Sequence, residues 1–184
     1  MVVPWATLAM WGASLEERRV AIIPSVMIQG ALGPKEYGVL LTDQRSIFVL
    51  TLATNAAVWG ALGGALGAMV GYAVTDPQYV AYLESDLAAL SSDDKNISIP
   101  HSSIRRLGLE KKLGGYRLQI EYMTLDGKAK TLNVVLTLSP AHLKQKKSEG
   151  VKSKDAFKDY STKVREAYEH ALPPEIGARA EWRI

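Results

Sequence analysis

Residues 46–75 carry no charge, and the centre of that stretch, residues 56–74, is dominated by Ala and Gly. Gly60, Gly64, Gly67 and Gly71 recur at an alternating four-three-four spacing, which places them on one side of a helix. A helix face without side chains lets another backbone approach closely, so these four glycines are the candidate helix-packing and association residues. Leu62, Leu66 and Met69 fall on another face, and a helix with two non-polar faces needs more than one neighbour to cover it.

The segment sits inside a chain that otherwise reads as a small β domain. A length of 184 residues suits one domain with a substantial core, and a hydrophobic content of 47% with 22% charged residues excludes wholesale disorder. Cys is absent, so no disulfide framework, Cys-ligated zinc site or thiol nucleophile can form. The apolar residues 1–13, with Trp5 and Trp11, lack the basic start and Leu-rich centre of a secretory signal and read as mature chain. Ser14 and Glu17 have capping-box spacing, but a helix begun there would run into the β-rich residues 20–23.

Strand signals are frequent. Residues 19–28 read as a first strand whose Pro24 favours an edge or a bulge, residues 30–38 as a loop, and residues 37–41 and 46–50 as two strands across the Thr42-Asp43-Gln44-Arg45 turn. Tyr79, Leu83, Asp86, Leu87 and Leu90 predict an amphipathic helix ending near Ser91. Strands resume at residues 97–100, 104–109, 116–123 and 130–138, with Asp126-Gly127 as a tight-turn signal between the last two. Phe157, Tyr160, Val164, Tyr168 and Ala171 recur at helical spacing until Pro173-Pro174 stops the run.

Two segments carry a family resemblance. Tyr37-Gly38-Val39-Leu40-Leu41-Thr42-Asp43-Gln44-Arg45-Ser46-Ile47-Phe48-Val49 resembles the strand-turn-strand signature of PH-like domains of the GRAM and bacterial PH-like kind. Ile99-Pro100-His101-Ser102-Ser103-Ile104-Arg105-Arg106-Leu107 is similar to a second strand motif of that family, and the chain looks like prokaryotic PH-like proteins with a Gly-rich helical insert at this point. The resemblance implies an α+β, mainly β fold: a bent, seven-stranded antiparallel PH-like barrel closed by a C-terminal helix, with an inserted helical hairpin. It implies one domain over residues 1–172, the insert at about 52–91, and a C-terminal tail at 173–184. Phosphoinositide-binding PH domains place several basic residues around the first strand-strand loop, whereas residues 29–38 here supply only Lys35, so inositol-phosphate recognition is not expected.

A single membrane pass through residues 56–74 is incompatible with that barrel, because it would put strands of one sheet on opposite sides of the bilayer. A packed or self-associating hairpin is the expectation, and a surface-lying or re-entrant arrangement the alternative. Arg105, Arg106, Lys111, Lys112 and Arg117 gather on two adjoining strands and are the candidate contacts for an anionic membrane surface; the simpler reading is a solvated rim. Lys144, Lys146, Lys147, Lys152 and Lys154 line the link before the last helix and share the two readings, contact with anionic lipid heads or, more simply, a flexible connector. The net charge of +3 comes without a basic stripe interleaved with aromatics, so no nucleic-acid partner is expected. His101, His142 and His170 are isolated, and no phosphate loop, metal-ligand spacing or nucleophile motif is present. The expectation is a cytoplasmic, non-enzymatic interaction module without cofactor, whose partner is itself or another protein; the alternative is a peripheral adaptor at the inner face of a membrane.

Overall fold

The computed structural model describes residues 16–30, 33–50, 86–112, 115–138 and 140–184. Its strands are β1 (Arg19–Gly30), β2 (Gly33–Thr42), β3 (Arg45–Leu50), β4 (Ile97–Pro100), β5 (Ile104–Lys112), β6 (Gly115–Met123), β7 (Ala129–Leu136) and β8 (Glu181–Arg183). Among the described residues the helices are α1 (Leu87–Ser92), α2 (Pro140–Ser148), α3 (Ser153–Ala171) and α4 (Pro174–Gly177), with a 3-10 turn at His101–Ser103.

All eight strands form one sheet in the order β4-β3-β2-β1-β7-β6-β5-β8, antiparallel throughout except for β8, which lies parallel to β5. The connection from β4 to β5 dictates its shape. Six inter-strand steps would separate these strands by about 29 Å in a flat sheet. Only His101–Ser103 lie between them, enough chain for about 14 Å. The sheet must therefore bend round until its two ends approach each other. The fold is α+β and mainly β, with α3 packed as the C-terminal helix.

Alternation along the strands fills the inside of the bend. Val39 and Leu41 of β2, Phe48 of β3, Ile99 of β4, Leu107 and Leu109 of β5 and Leu118 and Ile120 of β6 share one core with Tyr160, Val164 and Tyr168 of α3. Phe48, expected to point inward, is completely buried. Tyr160 and Tyr168 are also fully buried, and at about 25 cal/mol per Å² rings of this size contribute at most roughly 4–6 kcal/mol each.

Pro24 does produce an irregularity. The register of β1 shifts between Ile23 and Val26, where a residue without an N–H breaks the ladder. The Ser25 carbonyl, which accepts the Thr137 N–H at 3.4 Å, also accepts a hydrogen bond from the Tyr160 hydroxyl at 3.0 Å, which ties α3 to the sheet. Beyond the bulge, Val26, Met27 and Ile28 pair with Leu136, Val135 and Val134 and join the two halves of the sheet.

Several expectations need correction. Gly30 and residues 33–38 are strand rather than loop: β1 continues to Gly30, which pairs with Gly33 at the start of β2. The Asp126-Gly127 turn is longer than the tightest hairpin form, since Thr124 N–H donates to Lys128 O at 2.9 Å and only Gly127, at φ 76°, has a positive φ. The Lys-rich connector contains α2, whose end is closed by Val151 N–H donating to Lys146 O at 2.9 Å around Gly150 at φ 78°. Residues 173–184 are no tail. Ile176 joins the core, Trp182 and Ile184 pack on it, and β8 extends the sheet beside β5. Glu17 lies in no helix; it serves the β2–β3 turn instead, and Ser14 lies outside the described residues.

Candidate functional site

The connection between β3 and β4 holds the Ala/Gly-rich segment. These strands are antiparallel neighbours, with Phe48 opposite Ile97 and Ser46 opposite Ile99, so residues 51–96 connect two paired strands. Its base is closed by one side chain. Leu50 N–H donates to Asn96 Oδ1 at 3.0 Å, and Asn96 Nδ2 donates to Leu90 O at 3.0 Å. The four glycines fall outside the described residues.

The returning end of the insert covers an unusual surface. A sheet wetted on one face normally alternates apolar inward with polar outward. Here the outward residues Leu40, Ile47 and Val49 are apolar and buried, forming a second cluster with Ile22, Leu87 and Leu90. The last two belong to α1, which therefore lies against the outer side of β2 and β3. Asp86, read from periodicity as part of a longer helix, is the N-cap of α1: its carboxylate accepts the Ala88 N–H at 2.9 Å and its own backbone is extended. The remainder of that predicted helix lies outside the described residues.

Arg45 secures the arrangement from below. Its Nε lies 2.9 Å from Glu17 Oε1, and its Nη1 donates to Ser91 Oγ at 3.2 Å, linking the start of the described chain to the end of α1. Thr42 shapes the turn that presents Arg45, its Oγ1 accepting the N–H groups of Gln44 at 3.1 Å and Arg45 at 2.9 Å.

The candidate basic residues lie on β5 and β6, and all five are exposed. They are not alike. Arg106 is engaged by Glu181 at 2.9 Å and faces Glu121 at 3.7 Å, and Lys112 Nζ lies 2.5 Å from Glu110. The Lys112 hydrogen bond, with the nearby charges of Arg183 and Arg117, holds the Glu110 carboxyl below its usual range. Arg105, Lys111 and Arg117 have no ion-pair partner among the described residues. Sequence spacing gathered the five but could not foresee Glu181, because β8 arrives from far along the chain.

One polar cluster escaped the sequence reading entirely. His101, only 1% exposed, shares a hydrogen bond of 3.1 Å between its Nε2 and Ser46 Oγ, and its backbone N–H donates to Gln44 O at 2.7 Å. Burial lowers the imidazole pKa to about 4, so the ring is neutral at pH 7. Tyr168 lies beside Ser46 with its hydroxyl buried, and burial pushes that phenol above its usual range against the opposing effect of Ser46. Ser46 and Tyr168 are completely buried, so a substrate has no route to either hydroxyl. The cluster joins β3, the 3-10 turn and α3. Among the described residues no group of acidic or His side chains has the arrangement of a metal site, and no helix is long and apolar enough to cross a membrane.

No family model matches the chain, and no curated protein matches it. Among solved structures it is similar to the hSac2 domain from human phosphoinositide phosphatase Sac2, with 5% sequence identity and a TM-score of 0.44 over 91% of this chain and 76% of that one. At that score the likeness carries no argument about fold or activity.

Proposed function

We propose that the protein is a non-enzymatic, PH-like interaction module in which the β3–β4 insert is the association device, binding a second copy or another protein. The observation that carries this reading is the Leu50–Asn96 closure, which returns both ends of the long insert containing the charge-free residues 51–75 to one point of the sheet. A loop needed only to join β3 to β4 could be a few residues long. The resemblance of the β2-turn-β3 and β4-turn-β5 sequences to PH-like motifs supports the scaffold half of the reading. The four-three-four spacing of Gly60, Gly64, Gly67 and Gly71 supports the association half, because in the helix that this spacing predicts each would be about 1 kcal/mol worse than Ala unless a close neighbour offset the cost.

The second reading, a peripheral membrane adaptor, is favoured by Arg105, Lys111 and Arg117, which have no ion-pair partner among the described residues. Chain length restricts how the insert could serve it. Two bilayer crossings need roughly 40 residues, more than residues 51–85 supply, and a single crossing cannot return the chain to Asn96. Lipid contact would therefore be in-plane or re-entrant.

Gly64→Leu together with Gly67→Leu tests the association face. Light scattering should show loss of the higher-mass species, while the thermal melt of the remaining monomer stays that of a folded protein. Unchanged mass and melting temperature would show that the glycine face has no close neighbour.

A further inference from the structure

Gly108 stands in the middle of β5 with its missing side chain on the outward face, between Arg106 and Glu110. Its φ is not positive, and a Cβ built there would meet nothing nearer than Glu181 O at 3.8 Å and Glu181 Cβ at 3.9 Å. Neither backbone conformation nor packing requires glycine at this position. An interior strand glycine without such a cause marks a place that something approaches closely. What its absence of a side chain creates is a hollow of about 110 Å³, floored by Gly108 and rimmed by Arg106, Glu110, Gln119, Glu181 and Arg183.

The rim contains available donors. Gln119 faces Gly108 across the β5–β6 ladder, and its half-buried side-chain amide has no hydrogen bond among the described residues. Arg183 spends one nitrogen, Nη2, on Glu181 at 2.6 Å. Arg106 places both Nε and Nη2 on Glu181 Oε1, at 3.1 and 2.9 Å, and turns Nη1 towards Glu121 at 3.7 Å, so Arg183 is the rim arginine with N–H groups to spare. On the outward face around Gly108, Arg106, Lys112, Arg117 and Arg183 stand against Glu110, Glu121 and Glu181. The surroundings therefore favour an anion.

We propose that the hollow over Gly108 receives an acidic side chain, aspartate or glutamate, of a protein partner. The carboxylate enters above Gly108 and takes hydrogen bonds from the Gln119 amide and the Arg183 guanidinium. A flat anionic bilayer fits less well, because it would meet Glu110 and Glu181 on the rim at the same time as the arginines. A single carboxylate entering the hollow leaves those acids with Lys112 and Arg106. The site is separate from the β3–β4 insert and does not depend on it.

The test uses the full chain, amide-resolved NMR and two capped tripeptides, acetyl-Gly-Asp-Gly-amide and its Asn counterpart, at matched ionic strength. The Asp peptide should bind with a Kd of about 1 mM, shifting Gly108, Gln119 and Arg183, while the Asn peptide leaves them in place. Gly108→Val, which the open space tolerates, should keep the spectral dispersion of the parent and weaken binding at least about tenfold. Arg183→Gln, at an exposed position, should give the same loss and serves if the valine variant misfolds. Equal shifts from both peptides, or undiminished binding by both variants, would overturn the proposal. So would phosphatidylserine vesicles that broaden these resonances while the Asp peptide leaves them unmoved, which would mark a lipid-facing rim.

Discussion

Leu50 and Asn96, 46 positions apart, are joined by a hydrogen bond from the Leu50 N–H to Asn96 Oδ1 at 3.0 Å. Because Asn96 also donates to Leu90 O, one side chain holds the end of β3, the start of β4 and the end of α1 together. The sheet thereby presents the insert from a fixed base.

Asn96→Ala removes both bonds and leaves the partly buried Leu50 N–H unpaired. The expected cost is about 1–3 kcal/mol. Asn96→Asp keeps the acceptor for Leu50 and loses only the donor to Leu90, so its denaturation midpoint should fall between those of Ala and the parent. Identical midpoints for all three would show that the base of the insert is not held by this residue.

His101 predicts a pH dependence. Its folded pKa of about 4 lies below the ordinary value of 6.5, so between these values the unfolded chain binds more protons than the folded one. Stability from the buried neutral ring is complete above pH 6.5 and is lost as the pH falls towards 4, by roughly 3 kcal/mol over that window. His101→Gln keeps a polar group for Ser46 and removes the titration. Urea melts from pH 7 to pH 4.5 should fall more steeply for the parent than for the variant. Parallel curves would contradict the assignment. Asp126, exposed and held below its usual range by its Lys128 and Thr124 hydrogen bonds, affects both proteins alike.

The strands were largely legible because Val, Ile and Leu alternate within them and turn residues separate them. Thr42 to Arg45 marked a turn through side-chain chemistry that acts within four residues. Misreadings arose where distant contacts outweighed local signals. Gly30 and Gly33 looked like loop residues, yet each forms part of a strand pair. Residues 173–184 looked like a tail because neither the burial of Ile176 in the core nor the pairing of β8 with β5 has a local signal. The same long-range approach brought Glu181 to Arg106 and turned part of a basic cluster into a lattice of both signs. His101 was visible only as an isolated histidine, since its partner Ser46 lies 55 positions away.

The most direct measurement follows from β3 and β4 being hairpin partners. Replacing residues 51–85 by a short Asn-Gly turn leaves every described strand pair in place. Circular dichroism and thermal melting should report a folded domain, and light scattering should report a monomer where the full chain gives a higher mass or retains a partner. If the full chain and the shortened chain have the same mass and neither captures a partner that the other lacks, the insert is not the association device.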